Sequence, residues 1–163
     1  VDENKKPIKR NAAIMQFSRD HHFGLLLVWK IREGLKKSID PMRISRYTLH
    51  FCDTDLIYHF NDEEEILFNK LSADSNQRIQ AETEHKNIKQ MIDELRKKPD
   101  DINLLKKFSN TLDKHIRFEE RELFNHLQEN VSDKDLTEIS VSFKPRNHEP
   151  DTAWNDIFWE IKK

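Results

Sequence analysis

His59-Phe60-Asn61-Asp62-Glu63-Glu64-Glu65-Ile66-Leu67-Phe68 and His115-Ile116-Arg117-Phe118-Glu119-Glu120-Arg121-Glu122-Leu123-Phe124 follow one pattern, His-x3-Glu-Glu-x2-Leu-Phe. Residues four apart lie on one face of an α-helix, so each stretch aims an imidazole and a carboxylate at the same point. The apolar residues beside them would ordinarily face a core. Each stretch is half of a metal site carried on a helix.

The rest of the chain has the makeup to supply such helices. It has 163 residues, enough for one domain with a core, and only two Gly and five Pro, too little turn punctuation for an all-β protein. With 36% charged residues it reads as a helical bundle with solvated outer faces. A formal net charge of -2 argues against nucleic acid as a partner. Cys52 is alone, which rules out an intramolecular disulfide and a thiolate metal cluster. The longest apolar run, Leu25 to Trp29 between Gly24 and Lys30, is far short of the roughly 20 residues of a membrane span. Lys5, Lys6, Lys9 and Arg10 are not followed by a signal-peptide apolar region, so the expected location is cytoplasmic.

Four periodic segments lie between breaker signals. The first is expected from about Asn11 to Ser38, with Ile14, Phe17, Gly24, Leu25, Val28 and Leu35 on one stripe and Arg19, Lys30 and Lys37 off it. Asp40-Pro41 is an N-cap with a first-turn proline and opens a second helix through Ile44, Tyr47, Phe51, Leu56, His59, Ile66 and Leu67, ending near Leu71. Ser72-Ala73-Asp74-Ser75 precedes a third helix carrying Ile79, His85, Ile88, Ile92 and Leu95 to Lys97. After Pro99-Asp100-Asp101 a fourth carries Leu104, Leu105, Phe108, Leu112, His115, Phe118, Leu123 and Leu127, ending at Gln128-Glu129-Asn130. Short links favour antiparallel neighbours, so the expected fold is an all-α, up-down-up-down four-helix bundle over residues 1–130. Residues 131–163 form a C-terminal extension: a short helix from Ser132 to Ser140, then a connection and a short helix bearing Trp154, Phe158 and Trp159, too aromatic to stay off the bundle.

Of the eight histidines, His59 and His115 have Glu four residues later, at Glu63 and Glu119. The other two helices each bring a histidine to the apolar stripe. His85 is in register with Ile88 and Ile92, and His21 with Phe17, Leu25 and Val28. His22 is the alternative to His21 and points about 100° away. Four imidazoles and two carboxylates without thiolate suit iron or another first-row metal, and bridging carboxylates suit a pair of ions. A lone core histidine is more often hydrogen-bonded than ligating, and a lone His-x3-Glu is more often a surface pair. Two copies with a histidine on each remaining helix reverse that balance, because burying these groups uncompensated is costly. His50 and His126 fall off the stripes, and His148 lies in the tail. Glu64, Glu65, Glu120 and Glu122 read as solvated or supporting the ligands from outside.

From about Ser18 to Leu127 the chain resembles the hemerythrin-like, or HHE cation-binding, family. The carriers are Ser18-Arg19-Asp20-His21-His22, His59-x3-Glu63, Glu84-His85 and His115-x3-Glu119. The resemblance implies an antiparallel four-helix bundle around two non-haem iron ions held by His21, His59, Glu63, His85, His115 and Glu119. Oxygen-carrying hemerythrins have a histidine one turn before the position of His85, whereas Ala81 stands here, so that ligand is missing or is replaced by water, Glu82 or His22. Glu82-x-x-His85 also resembles a ferritin-like element, but Leu56 and Leu112 stand where a second Glu-x-x-His would need Glu. The expected function is binding of dioxygen or a related small oxidant for sensing, storage or detoxification. A di-iron oxidase or peroxidase, and a bundle merely stapled by metal, are the alternatives.

Overall fold

The computed structural model describes residues 6–144 and 154–162; Pro145, His148 and Pro150 lie outside them. Each expected breaker acts as a cap. The Asn11 side chain accepts from the Ala13 N–H and opens α1 (Ala12–Lys36), and Asp40 accepts from Met42 N–H and opens α2 (Pro41–Phe51). Ser75 caps α4 (Asn76–Lys97), Asp101 caps α5 (Ile102–Phe118) and Ser132 caps α7 (Asp133–Ser142), each satisfying an otherwise orphaned N–H. The helix α1 stops at Lys36, short of the expected Ser38, because Ser38 takes φ 55°. Ile39 N–H then returns to Gly34 O and Ser38 N–H to Leu35 O, a Schellman ending with Ser where Gly is usual.

Between α2 and residue 70 the helix never breaks, but it changes pitch. A π turn, Cys52–Leu56, leads into α3 (Ile57–Asp62), and a second π turn, Glu63–Leu67, leads into a 3₁₀ turn, Phe68–Lys70. The fourth rod repeats this: α5 passes through the π turn Glu119–Leu123 into α6 (Phe124–Asn130). In both copies of the sequence repeat the π turn starts at the glutamate, whose carbonyl accepts from the N–H five residues on, at Phe68 and Phe124. A uniform 3.6-residue period missed this extra residue per turn. The wide turn lets Leu67 with Phe68, and Leu123 with Phe124, all be buried.

No strand occurs among the described residues. The helix α1 packs along α5 and α2, and α4 along the same two. Their apolar stripes build two clusters, one around Phe17 and one around Phe108. Ala13, Ile14 and Phe17 place the start of α1 in the first, Leu27, Val28 and Ile31 place its end in the second, and buried His21 lies between. Rod 41–70 runs the other way, from Ile44 and Tyr47 in the Phe108 cluster past His59 and Glu63 to Leu67 and Phe68 in the Phe17 cluster. The order reverses again in α4, from Ala81 past His85 to Ile92, and once more in rod 102–130.

Two stripe assignments are corrected. Ile79, expected on the inner face of α4, is about half exposed: it lies two residues before buried Ala81, about 200° round the helix from it. Lys30, expected off the stripe, is buried: its Nζ donates to Tyr47 Oη at 3.0 Å and lies 4.2 Å from the centre of the Trp159 ring. The aromatic tail covers it, and cation–π attraction replaces the lost water. In place of the expected short helix bearing Trp154, Phe158 and Trp159, the tail forms a single 3₁₀ turn, Phe158–Glu160, with Trp154 outside it. Phe158 and Trp159 enter the Phe108 cluster, Arg43 holds Asp156 through paired nitrogens at 3.0 and 2.6 Å, and His50 stacks on Trp154. At the opposite end, Ile139 of α7 joins the Phe17 cluster.

Gly34 admits Phe158: a Cβ there would meet Phe158 Cε1 and Ile44 Cδ1, each at 2.8 Å. Gly24 differs, since its added Cβ would meet only the flexible tip of Ile116 at that distance. Gly34→Ala is expected to cost about 1–3 kcal/mol in urea melts through overpacking and to red-shift tryptophan emission as the tail loosens. Gly24→Ala should cost less, and equal losses in the two variants would show that Phe158 is not seated through Gly34.

Candidate metal centre

The layer separating the two apolar clusters contains six buried polar side chains: His21, His59, Glu63, His85, His115 and Glu119. Each helix or rod contributes, and the His-x3-Glu spacing works as a helix face should. His59 Nε2 lies 3.1 Å from Glu63 Oε1 and His115 Nε2 contacts Glu119 Oε1. His85 Nε2 is 3.2 Å from Glu63 and 3.7 Å from Glu119, and His21 Nε2 is 3.5 and 3.8 Å from the same two residues. Glu63 and Glu119 are fully buried.

These inner atoms have no proper hydrogen-bond partner. The Nε2 atoms of all four histidines and both carboxylate oxygens of Glu63 and Glu119 are buried and unsatisfied. Polar atoms in a core normally find partners, and a nest of orphans calls for a ligand that satisfies them together. They form two groups whose donor atoms lie within 4.8 Å of one another: Glu63, His85, His115 and Glu119 in one, His21, His59 and Glu63 in the other. Glu63 belongs to both. Imidazole and carboxylate donors around a shared carboxylate fit a pair of first-row metal ions.

The electrostatics agree with a site built for positive charge. Burial opposes charging His21, but Glu120, Glu63 and Glu119 outweigh it and raise its pKa from 6.5 to about 10. The same contest, burial against Glu63 and Asp20, raises His59 to about 9. His85 and His115 also rise despite burial, through Glu119, Glu63 and Glu64 for the first and Glu119 and Glu84 for the second. Burial works against ionisation of Glu63 too, yet the surrounding histidines hold it well below the usual carboxylate range. Without a cation, protons supply the charge the carboxylates require.

The outer ring nitrogens face a second set of carboxylates. His59 Nδ1 donates to Asp20 at 3.1 Å, His85 Nδ1 to Glu64 at 3.3 Å and His115 Nδ1 to Glu84 at 2.8 Å. His21 Nδ1 is 3.4 Å from Glu120, whose carboxylate also receives Ser18 Oγ–H and Arg10 Nε–H, both at 3.1 Å. Aromatic rings fix the imidazole planes: Phe60 stacks on His85 with centres 3.9 Å apart, and Phe124 on His21 at 5.1 Å. Glu64 and Glu120 were among the supporting groups expected from sequence. Asp20 and Glu84 were not, although each directly precedes an inner histidine and stands in a stretch that carries the family resemblance.

The remaining candidates lie elsewhere. His22 is exposed beside Phe23, and Glu82 is exposed and paired with Arg78, so neither stands in for the residue replaced by Ala81. Ala81 is fully buried, in the Phe17 cluster. His126 is half-buried against Asn130, and His50 is half-buried under Trp154. Glu65 is exposed, and Cys52 is buried with its thiol pushed up by burial, away from any reactive form. No helix among the described residues is long and apolar enough to cross a membrane.

Neither a curated relative nor a solved structure matches the chain. The hemerythrin HHE cation binding domain matches residues 16–127, a span that holds all six inner residues and all four outer carboxylates. The match takes in well over half of the sequence, and the chain belongs to the hemerythrin HHE cation-binding family.

Proposed function

We propose that this protein is a cytoplasmic hemerythrin-like di-iron protein that binds dioxygen or a related small oxidant, in sensing, storage or detoxification. The observation that carries the reading is the layer of orphaned imidazole and carboxylate atoms in two groups sharing Glu63. His21, His59 and Glu63 are a two-histidine, one-carboxylate set, a donor set associated with non-haem iron that keeps positions open for exogenous ligands. His85, His115 and Glu119 with Glu63 would hold the second ion. Iron in such a site supplies a redox-active centre for small oxidants. The chain's own part would be to orient the imidazoles, offer Glu63 to both donor groups, and exclude bulk water with Phe17, Phe60, Phe68 and Phe124, which line the layer from both clusters. The reading includes an up-down-up-down four-helix bundle over residues 1–130, supported by the alternating direction in which successive helices cross the polar layer.

The deciding experiment is metal analysis of anaerobically purified protein followed by spectra on air addition. About two iron ions per chain and a new near-ultraviolet or visible band, removed again by deoxygenation, are expected. An oxygen-inert protein would overturn the oxidant reading, and continuous oxygen consumption would point to an oxidase. His59→Ala and His115→Ala should each lose about one of the two irons, whereas His126→Ala and His22→Ala should keep both; equal iron in all of them would sink the assignment of the inner residues.

A pH prediction follows from protons standing in for metal. In the metal-free protein the folded pKa values of His21 and His59, about 10 and 9, lie above the unfolded value of 6.5. Their contribution to stability is therefore complete below about pH 6.5 and is lost as pH rises through 9 to 10. Glu63 is lowered, so its contribution is lost on the acid side instead, below its ordinary value of 4.5. Metal replaces the protons, so the gap in melting temperature between loaded and metal-free protein should widen from pH 6.5 to pH 9. A constant gap would show that the imidazoles do not exchange protons for metal.

A further inference from the structure

The outer carboxylates are not a loose shell around the inner ligands. Asp20 on α1 holds His59 of rod 41–70, and Glu64 on that rod holds His85 of α4. Glu84 on α4 holds His115 of rod 102–130, and Glu120 on that rod approaches His21 of α1. The sequence of contacts closes on itself, and in every case the carboxylate comes from a different helix than the histidine. Two of the four carry a local repeat of their own. Gln16-x3-Asp20-His21 and Gln80-x3-Glu84-His85 have the same form, and in both the glutamine side chain donates to the acid, at 3.3 and 2.9 Å.

We infer that Asp20 and Glu84 are positioning residues, each fixing the imidazole of the neighbouring rod for one ion of the pair: Asp20 acts through His59, and Glu84 through His115. The assignment rests on the di-iron reading above for its metal consequences, but the hydrogen-bond ring itself stands without metal. A carboxylate only accepts, so it selects the imidazole tautomer with the proton on Nδ1 and leaves Nε2 as the inward donor atom. The ring torsion is fixed at the same time, because the acceptor is anchored to its own helix by the glutamine four residues before it. Asp20 and His21 serve the same ion from one helix, the first by holding His59 and the second as a donor. Glu84 and His85 do this for the other ion. Glu64 and Glu120 differ, since each follows an inner glutamate and is pinned by a cation, Lys89 at 3.8 Å and Arg10 at 3.1 Å.

Single-ion backgrounds separate the two roles. His59→Ala removes the group containing His21 and leaves Glu63, His85, His115 and Glu119; His115→Ala leaves His21, His59 and Glu63. With Co²⁺ as the probe, read by its absorption bands, Glu84→Ala should weaken binding about 10–100-fold in the His59→Ala background and do nothing in the His115→Ala background. Asp20→Ala should show the reverse. Asp20→Asn and Glu84→Gln keep an acceptor oxygen and should recover much of the affinity, which a merely structural defect would not. Equal weakening of both ions by either variant overturns the assignment, as does no weakening of either. If the parent binds no Co²⁺, the metal reading fails, and proton NMR of the metal-free chain still decides the ring. The Nδ1–H resonance of His59 should vanish in Asp20→Ala while that of His115 persists, with the converse in Glu84→Ala; unchanged resonances in both overturn the inference.

Discussion

The structure depends on how one carboxylate, Glu63, is kept ionised with no exposed surface, beside a second fully buried glutamate, Glu119. An isolated charge in a core costs more than a small domain can tolerate, and it would neutralise by taking up a proton. Here four imidazoles face the carboxylates and carry the compensating charge, with Glu63 held well below its ordinary pKa as the result. The imidazoles are compensated in turn by acids at their outer nitrogens. Around this alternation are arranged the register of the helices that carry the six inner residues, the π turns beginning at both glutamates, and the division of the core into two apolar clusters.

Most of the inner site was legible because it obeys the rule of a single helix. A histidine and a glutamate four apart must share a face, and a histidine in step with Ile88 and Ile92, or with Phe17 and Val28, must face the core with them. The outer ring was less legible for the same reason. Asp20 and Glu84 are judged polar by the face of their own helix, and their partners, His59 and His115, lie on another. The repeated Gln-x3-acid-His form betrays them, and it becomes meaningful once the packing of helices is known.

The fold followed similar lines. Caps at Asn11, Asp40, Ser75, Asp101 and Ser132 are local hydrogen-bonding events, and local residues announce them. Lys30 was misplaced because nothing near it in sequence explains its burial; its aromatic cover, Trp159, comes from the far end of the chain. The π turns escaped because an apolar stripe read at 3.6 residues per turn has no term for one inserted residue, although consecutive buried pairs, Leu67-Phe68 and Leu123-Phe124, mark where the phase shifts.

Solvent exposure completes the electrostatic argument. Along the bundle axis the layer is closed on one side by the Phe17 cluster, where Phe143 packs 5.0 Å from Phe17, and on the other by the Phe108 cluster with Phe158 and Trp159. Across the axis it is different. Asp20 and Glu120 keep 20% of their side-chain surface in water, Glu84 26% and Glu64 31%. Water limits the burial cost of charge on Glu64, Glu84 and Glu120, and the imidazoles they touch hold all three below the usual carboxylate range. Charge therefore alternates from rim to centre, each shell stabilised by the next, and the dry clusters above and below keep those short-range attractions strong.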